Sequence, residues 1–186
     1  MNYRKTYQII TILTGLFLLN ACTKEVDFNQ INDLELNPIV ESSIFYFNAP
    51  ASQFYSNGEI TVSQDFILID FFNNSFSVDY LSKAEFIFEV TNSIDKEFQL
   101  QMDFVDSNDN TQHSIILTAL QSPNNTNIVT EQLEVFEGNT LLALKNTVKL
   151  VFTITLQSGA PISQNTLGDI QLKSKGLFYF TINNIL

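Results

Sequence analysis

Apolar and polar residues alternate along much of this chain, and the alternation restricts the folds that the chain can adopt. Because successive side chains of a β-strand point to opposite faces, a period of two predicts a strand with one buried face. The clearest case is the stretch 148–156, whose alternate apolar residues are Val148, Leu150, Phe152, Ile154 and Leu156. Further segments of this kind, with a break expected near Gly176 in the last, are 39–47, 59–71, 86–90, 98–104, 114–120, 129–136 and 170–182.

Clusters of Asn, Asp, Gly and Ser separate these segments and predict tight turns, as in Ser56-Asn57-Gly58 and Asn73-Asn74-Ser75. The stretch 140–146 instead favours one or two helical turns, with Asn139 or Thr140 as the N-cap. Many short strands with a single helix among them argue for two antiparallel sheets packed face to face. The predicted fold is therefore an all-β sandwich, immunoglobulin-like in broad architecture, with one short connecting helix.

Phenylalanine is the residue expected to fill the core. The chain has 186 residues, enough for one domain, and contains 17 Phe, no Trp and a single Cys, so no disulfide can form within it. Each buried Phe contributes roughly 1.5–3 kcal/mol of hydrophobic stabilisation. Burial of Phe side chains is thus the predicted source of stability.

The N-terminus has the features of a processed export signal. Arg4 and Lys5 precede an uncharged apolar run from Ile9 to Leu19, which is too short to cross a bilayer as a helix. The following Leu19-Asn20-Ala21-Cys22 resembles the lipobox of bacterial lipoproteins. That resemblance implies that residues 1–21 are a signal peptide, and that Cys22 becomes the N-terminus and carries the lipid. Acyl chains would then hold the protein to the membrane without a transmembrane helix.

Residues 22–38 are expected to be an acidic tether, and residues 39–186 the β-sandwich domain. The acidic residues after Cys22 resemble the surface-export signal of Bacteroidetes lipoproteins, which implies an outer-membrane lipoprotein exposed at the cell surface; the periplasmic face is the alternative. Three segments also resemble small flavobacterial lipoproteins of unknown function, namely 27–38, 44–47 and 84–93. This likeness implies an envelope protein and supplies no catalytic residues.

Composition excludes several kinds of function. With 9 basic and 20 acidic side chains the net charge is −11, which repels nucleic acid. One histidine, His113, and one cysteine cannot build a zinc site of the usual kind. The sequence also lacks a glycine-rich phosphate loop and a Gly-x-Ser-x-Gly nucleophile motif. We therefore expect a protein that is not an enzyme and needs no cofactor, with His113 exposed or at the end of a strand.

One segment imitates the beginning of a calcium loop. Its oxygen-bearing residues are Asp106, Asn108, Asp109 and Asn110. An EF-hand would continue with Gly and Glu where this chain has Thr111 and Leu117, so that motif fails. A hairpin connection is the preferred interpretation, and a calcium site completed by distant residues is the alternative.

Exposed aromatic side chains are the remaining candidates for a binding surface. Phe76 follows a turn signal and can face a ligand, as can Tyr80 and Tyr55. The predicted function is a binding or accessory module for a partner protein or a glycan. A surface polysaccharide hydrolase with paired carboxylates, with or without calcium, is the second possibility, and a purely structural envelope component is the third. An exposed strand edge would offer another route to a partner, but the sequence does not identify the edge strands.

Overall fold

Antiparallel strands make up most of residues 35–183, which the computed structural model describes together with Tyr3 and Tyr7. The predicted signal peptide, Cys22 and most of the tether lie outside the described residues. The strands are β1 Ile39–Pro50, β2 Val62–Leu68, β3 Leu81–Asn92, β4 Lys96–Val105, β5 Thr111–Ala119, β6 Ile128–Phe136, β7 Lys149–Gly159 and β8 Asp169–Phe180. The helices are α1 Ser75–Tyr80 and α2 Gly138–Lys145, with a 3₁₀ helix at Ala51–Phe54.

The strands form two four-stranded sheets, one in the order β1-β8-β3-β6 and the other in the order β2-β7-β4-β5. All of their pairings are antiparallel, so the predicted two-sheet β-sandwich is confirmed. This strand order is that of an eight-stranded jelly roll, which refines the expected immunoglobulin-like architecture. Alternation identifies the buried face of each strand but not its neighbours, which is why the connectivity could not be predicted.

Phenylalanine side chains fill the space between the sheets, as predicted. Phe86, Phe88, Phe98, Phe104 and Phe136 have no exposed surface. The Phe86 ring lies 4.9 Å from the ring of Phe136 and 6.0 Å from that of Phe104, which belongs to the opposite sheet. Offset aromatic pairs of this kind add a specific contribution to that of buried area. The core is therefore an aromatic layer shared by both sheets.

Three local predictions are changed by the structure. Strand β8 continues through Gly176, where an added Cβ would lie 2.6 Å from Cζ of Phe178, so this glycine makes room for a ring rather than ending the strand. Strand β2 is shorter than the predicted 59–71. Helix α1 replaces a predicted turn, and begins where the Asn74 side chain accepts a hydrogen bond from the Ser77 amide at 2.9 Å.

The predicted connecting helix is present as α2. Its first turn is closed by a reciprocal capping box between Glu137 and Thr140, in which the Glu137 amide donates to Thr140 Oγ1 at 3.0 Å. None of the helices among the described residues is long and apolar enough to cross a membrane.

The sandwich has two ends, which the strand register defines. At the first end β1 begins, β8 finishes beside the start of β3, and the backbone of Leu36 pairs with that of Ile182. At the second end Pro50 pairs with Asp169, and the 3₁₀ helix follows directly. Each sheet also has two edges, and these form the seams along which the sheets meet.

Candidate functional site: the groove between two edge strands

Two edge strands face each other along one side of the sandwich. Strand β1 is at the edge of its sheet and β2 at the corresponding edge of the other sheet. Within residues 35–183, β1 pairs only with β8 and β2 only with β7. An edge strand presents a row of backbone donors and acceptors that no neighbouring strand occupies. We call this side the open seam, and the opposite side, where β5 and β6 are in contact, the closed seam.

The open seam contains a groove with two chambers, of about 300 and 410 Å³. Chamber 1, the smaller, lies nearer the second end, and chamber 2 nearer the first end. Ile67 of β2 lines both chambers. The aromatic and aliphatic residues that line chamber 1 include Phe45, Phe47, Phe66, Phe152 and Ile154. Those that line chamber 2 include Val40, Ile44, Leu68, Phe71 and Phe72.

A β-bulge in β1 shapes the floor of the groove. The register of β1 against β8 shifts between Ser43 and Tyr46, so one extra residue is accommodated there. The Ser174 hydroxyl holds the bulge, because it accepts a hydrogen bond from the Phe45 amide at 3.1 Å and donates one to the Phe45 carbonyl at 3.2 Å. The Phe45 ring then lies 4.4 Å from the ring of Phe152 on β7. The bulge therefore directs an aromatic side chain of one sheet onto the other.

Strand β2 leaves its apolar side chains unusually accessible. Val62, Phe66 and Leu68 are 52%, 56% and 75% exposed, and their register with β7 places them on one face. Asp65 and Ile67 occupy the opposite face, which points between the sheets, and at this rim Phe66 and Leu68 also border chambers 1 and 2. Three large apolar side chains on one face of this seven-residue edge strand are therefore accessible to solvent.

Two of the described carboxylates that have no ion pair border the groove. The described lysines each bind an acidic side chain or a carbonyl, in the pairs Lys83–Glu85, Lys96–Glu59, Lys149–Asp109, Lys173–Glu89, Lys175–Glu41 and Lys145–Val78. No ion pair among residues 35–183 involves Asp65 of chamber 1 or Asp70 of chamber 2, and the same is true of carboxylates elsewhere, such as Asp95 and Glu97. The lining of the two chambers thus contains two carboxylates and no lysine or arginine.

One ion pair fixes the chain where it enters β2. Lys96, at the start of β4, is only 6% exposed, and its ammonium lies 2.8 Å from Glu59 Oε1. The same carboxylate accepts a hydrogen bond from the Ile162 amide at 3.2 Å. The hydrogen bond from Lys96 lowers the pKa of Glu59. This ion pair therefore connects the segment before β2 to the start of β4 at the second end of the sandwich.

The predicted calcium segment is a hairpin turn that its own hydrogen bonds close. Asp106 Oδ1 accepts from the amides of Asn108 at 2.8 Å and Asn110 at 2.9 Å, and these backbone bonds lower the pKa of Asp106. Asp109 instead pairs with Lys149. Among the described residues no group of three or more His, Cys, Asp and Glu side chains could hold a metal ion. The preferred hairpin interpretation therefore accounts for these contacts.

The three predicted aromatic residues do not form one surface. Phe76, 46% exposed, and Tyr80 lie together on α1 at the first end, with ring centroids 5.3 Å apart. Tyr55 follows the 3₁₀ helix at the second end, where its backbone bridges to Glu59. His113 lies near the start of β5, as one of the two predicted alternatives has it, and is half-buried at the closed seam with Nε2 2.7 Å from Glu134 Oε1. A continuous aromatic platform is thus absent from these candidates.

Sequence reasoning missed the groove, although β2 carries a signal for it. The segment Val62–Leu68 has apolar residues on both faces and a single carboxylate, Asp65, on the face that should be buried. An inward-pointing charge is one of the devices by which proteins protect an edge strand. This pattern therefore indicates an edge, even though it does not identify the opposing strand.

Comparisons with known proteins give only distant structural matches. No protein-family model matches the chain, and no curated protein sequence is significantly similar to it. A proposed secreted protein from Parabacteroides distasonis is 18% identical with a TM-score of 0.42, covering 61% of this chain and 36% of that protein. The infectious bursal disease virus VP2 subviral particle is 9% identical with a TM-score of 0.43, covering 82% of this chain and 34% of the viral one. This chain thus spans about a third of both proteins' lengths, and TM-scores this low support no functional argument.

Proposed function

We propose that this protein is a lipid-anchored, non-enzymatic binding module of the cell envelope, and that its groove holds an extended segment of a partner protein. The observation that carries the proposal is the pair of facing edge strands, β1 and β2, with apolar chambers between them. In strand addition, backbone hydrogen bonds supply affinity, and pockets for alternate side chains supply specificity. The open seam offers both of these features in one place.

A peptide fits this site better than a glycan does. Successive side chains of an extended strand point to opposite sides, so every second side chain would face the chambers. Sugar recognition would need flat aromatic surfaces beside polar groups, whereas Phe76 and Tyr55 lie at opposite ends of the sandwich. The deeper aromatic residues, such as Phe45 and Phe152, are packed against each other at the floor of the groove.

Selection from a displayed library of random peptides, with the purified protein as bait, tests the groove. The library should yield peptides with alternating apolar residues, and Ile67→Asp should weaken their binding by about tenfold or more, as hot-spot changes do. The matched control is Ile116→Asp, because Ile116 lies 51% exposed in β5, away from the groove. This control should bind the selected peptides as the wild type does.

Other results would assign the groove differently. If the selected peptides bound equally to the wild type and to Ile67→Asp, their site would lie elsewhere and the proposal would fail. A second experiment measures the oligomeric state of the protein by sedimentation equilibrium in the absence of peptide. A dimer that Ile67→Asp dissociates and Ile116→Asp leaves intact would make a second copy of this chain the occupant.

The anchor and the location are supported by the sequence around Cys22 and are tested in cells. Cys22→Ala should release the protein from the membrane fraction without unfolding the sandwich, and retention of this variant would refute the anchor. Protease added to intact cells should digest the wild-type protein if it is at the cell surface. Protection until lysis would place it in the periplasm.

A further inference from the structure

We infer that the groove selects a partner strand with lysine or arginine among its apolar residues, and that Asp65 is the residue that selects it. This inference rests on the proposed function and specifies the chemistry of the occupant. Asp65 lines chamber 1 on the face of β2 that points toward the groove. Its residue partner across the strand pair is Phe152, which forms part of the floor.

The contacts of Asp65 indicate how it would influence which strands can pair with β2. Its Oδ1 atom accepts a hydrogen bond from the amide of the next residue, Phe66, at 2.8 Å. While this bond exists, the Phe66 amide of the edge strand is already occupied, and the exposed carboxylate borders a chamber whose lining is mainly aromatic and aliphatic. A strand with only apolar side chains would desolvate this carboxylate without replacing its hydration. A strand with a cation at that position would neutralise it instead.

The charges around the groove favour the same conclusion. Asp70 of chamber 2 adds a second carboxylate, and no described lysine reaches either residue. An acidic residue in the partner strand would therefore be repelled along the whole groove. Apolar side chains fill the chambers, and the cation determines which strands are accepted.

Three synthetic peptides test the inference. Each alternates threonine with valine, and the central valine is replaced by lysine in the first, by glutamate in the second and by norleucine in the third. The wild-type protein should bind the lysine peptide about fivefold or more tightly than the glutamate peptide, since partly exposed charge pairs have modest energies. The variant Asp65→Lys should reverse this order.

A second variant distinguishes a local effect of Asp65 from the electrostatic potential of the whole protein. Glu131→Lys makes the same change in net charge on the outer face of β6, in the row of Glu89 and Lys173. It should preserve the preference for the lysine peptide. Equal effects of the two variants, or no preference in the wild type, would overturn the inference while the groove remained a peptide site. Failure of all three peptides to bind would overturn the proposed function together with it.

Discussion

At the closed seam the two sheets are joined by side chains from both edge strands, whereas at the open seam the edge strands stand apart. His113 of β5 contacts Glu134 of β6 at 2.7 Å, and the Phe136 ring packs 5.0 Å from the imidazole. At the open seam the bulged Phe45 packs on Phe152, and Phe71 and Phe72, which follow β2, pack on Phe178 of β8. One seam is therefore packed by its edge strands, whereas the other leaves two chambers between them.

The difference also shows how the fold can tolerate an open side. The layer around Phe86 and Phe104 lies between the middle strands and the closed seam, and the buried hydrophobic core includes no residue of β2. Strand β2 is held mainly by its hydrogen bonds to β7 and by the contact of Glu59 with Lys96. The tightly packed seam and the proposed binding groove are thus on opposite sides of one sandwich.

The largest loss of stability is expected from a substitution at the closed seam. Phe136→Ala removes a fully buried ring that contacts Phe86, Phe104 and His113, and it leaves a cavity between the sheets. We expect the free energy of unfolding in urea to fall by about 3–5 kcal/mol. A loss below about 1 kcal/mol, the size of an ordinary substitution, would show that the closed seam is not part of the core.

The second-largest loss of stability is expected when the ion pair next to the start of β2 is broken. Glu59→Gln removes the charge beside the buried Lys96 ammonium and should cost about 1–2 kcal/mol at neutral pH, less than a fully buried pair because Glu59 is partly exposed. Because the folded-state pKa of Glu59 lies below its ordinary value of 4.5, its stabilisation is complete above that value. It is lost as the pH falls through the lowered pKa.

Urea unfolding of wild type and Glu59→Gln at a series of pH values measures this contribution. The difference in unfolding free energy should be constant at neutral pH and should shrink as the solution becomes acidic. Hydrogen exchange at neutral pH should become faster in β2 of the variant and remain unchanged in β6. A difference that grew on acidification would contradict the assignment.

The bulge is expected to have a smaller effect on stability than on binding. Ser174→Ala removes two hydrogen bonds to the Phe45 backbone and should cost about 1 kcal/mol of unfolding free energy. Because the bulge positions Phe45 at the floor of chamber 1, we expect peptide affinity to fall as well. Ser114→Ala is the control, since the Ser114 hydroxyl lies on the outer face of β5 and donates its hydrogen bond to Asp103 of β4. Equal peptide affinity in wild type and Ser174→Ala would remove the bulge from the binding site.

The two seams also differ in how far the sequence could predict them. In β3 and β4, buried and partly exposed residues alternate almost perfectly, because both strands lie inside their sheets. The predicted 98–104 therefore matches β4 within two residues at each end, and the predicted 86–90 lies inside β3, which begins five residues earlier and ends two residues later. In β2 every residue is exposed, so its pattern reflects a partly solvated edge rather than a buried face, and its predicted bounds were too long.

The groove depends on long-range arrangement, which local patterns do not record. Residues 45 and 152 meet only because β1 and β7 lie near the same seam of different sheets. The predicted aromatics Phe76 and Tyr55 were chosen for local turn signals, and these identify exposure without identifying neighbours. Cys22 remains a sequence prediction, since it lies outside the described residues.

The smallest effect on stability is expected when a Phe→Ala substitution, like Phe136→Ala at the closed seam, is made at the open seam. Phe66→Ala removes a ring that is 56% exposed, whose cation–π contact is with Lys149 Nζ at 5.8 Å from the ring centroid. Exposed contacts of this kind contribute little, so the unfolding free energy should change by less than about 0.5 kcal/mol. Peptide affinity should nevertheless fall, because Phe66 lines chamber 1. Phe136→Ala and Phe66→Ala therefore compare the effect of the same substitution on the unfolding free energy at the two seams. A large loss of stability in Phe66→Ala would mean that the open seam is closed in solution.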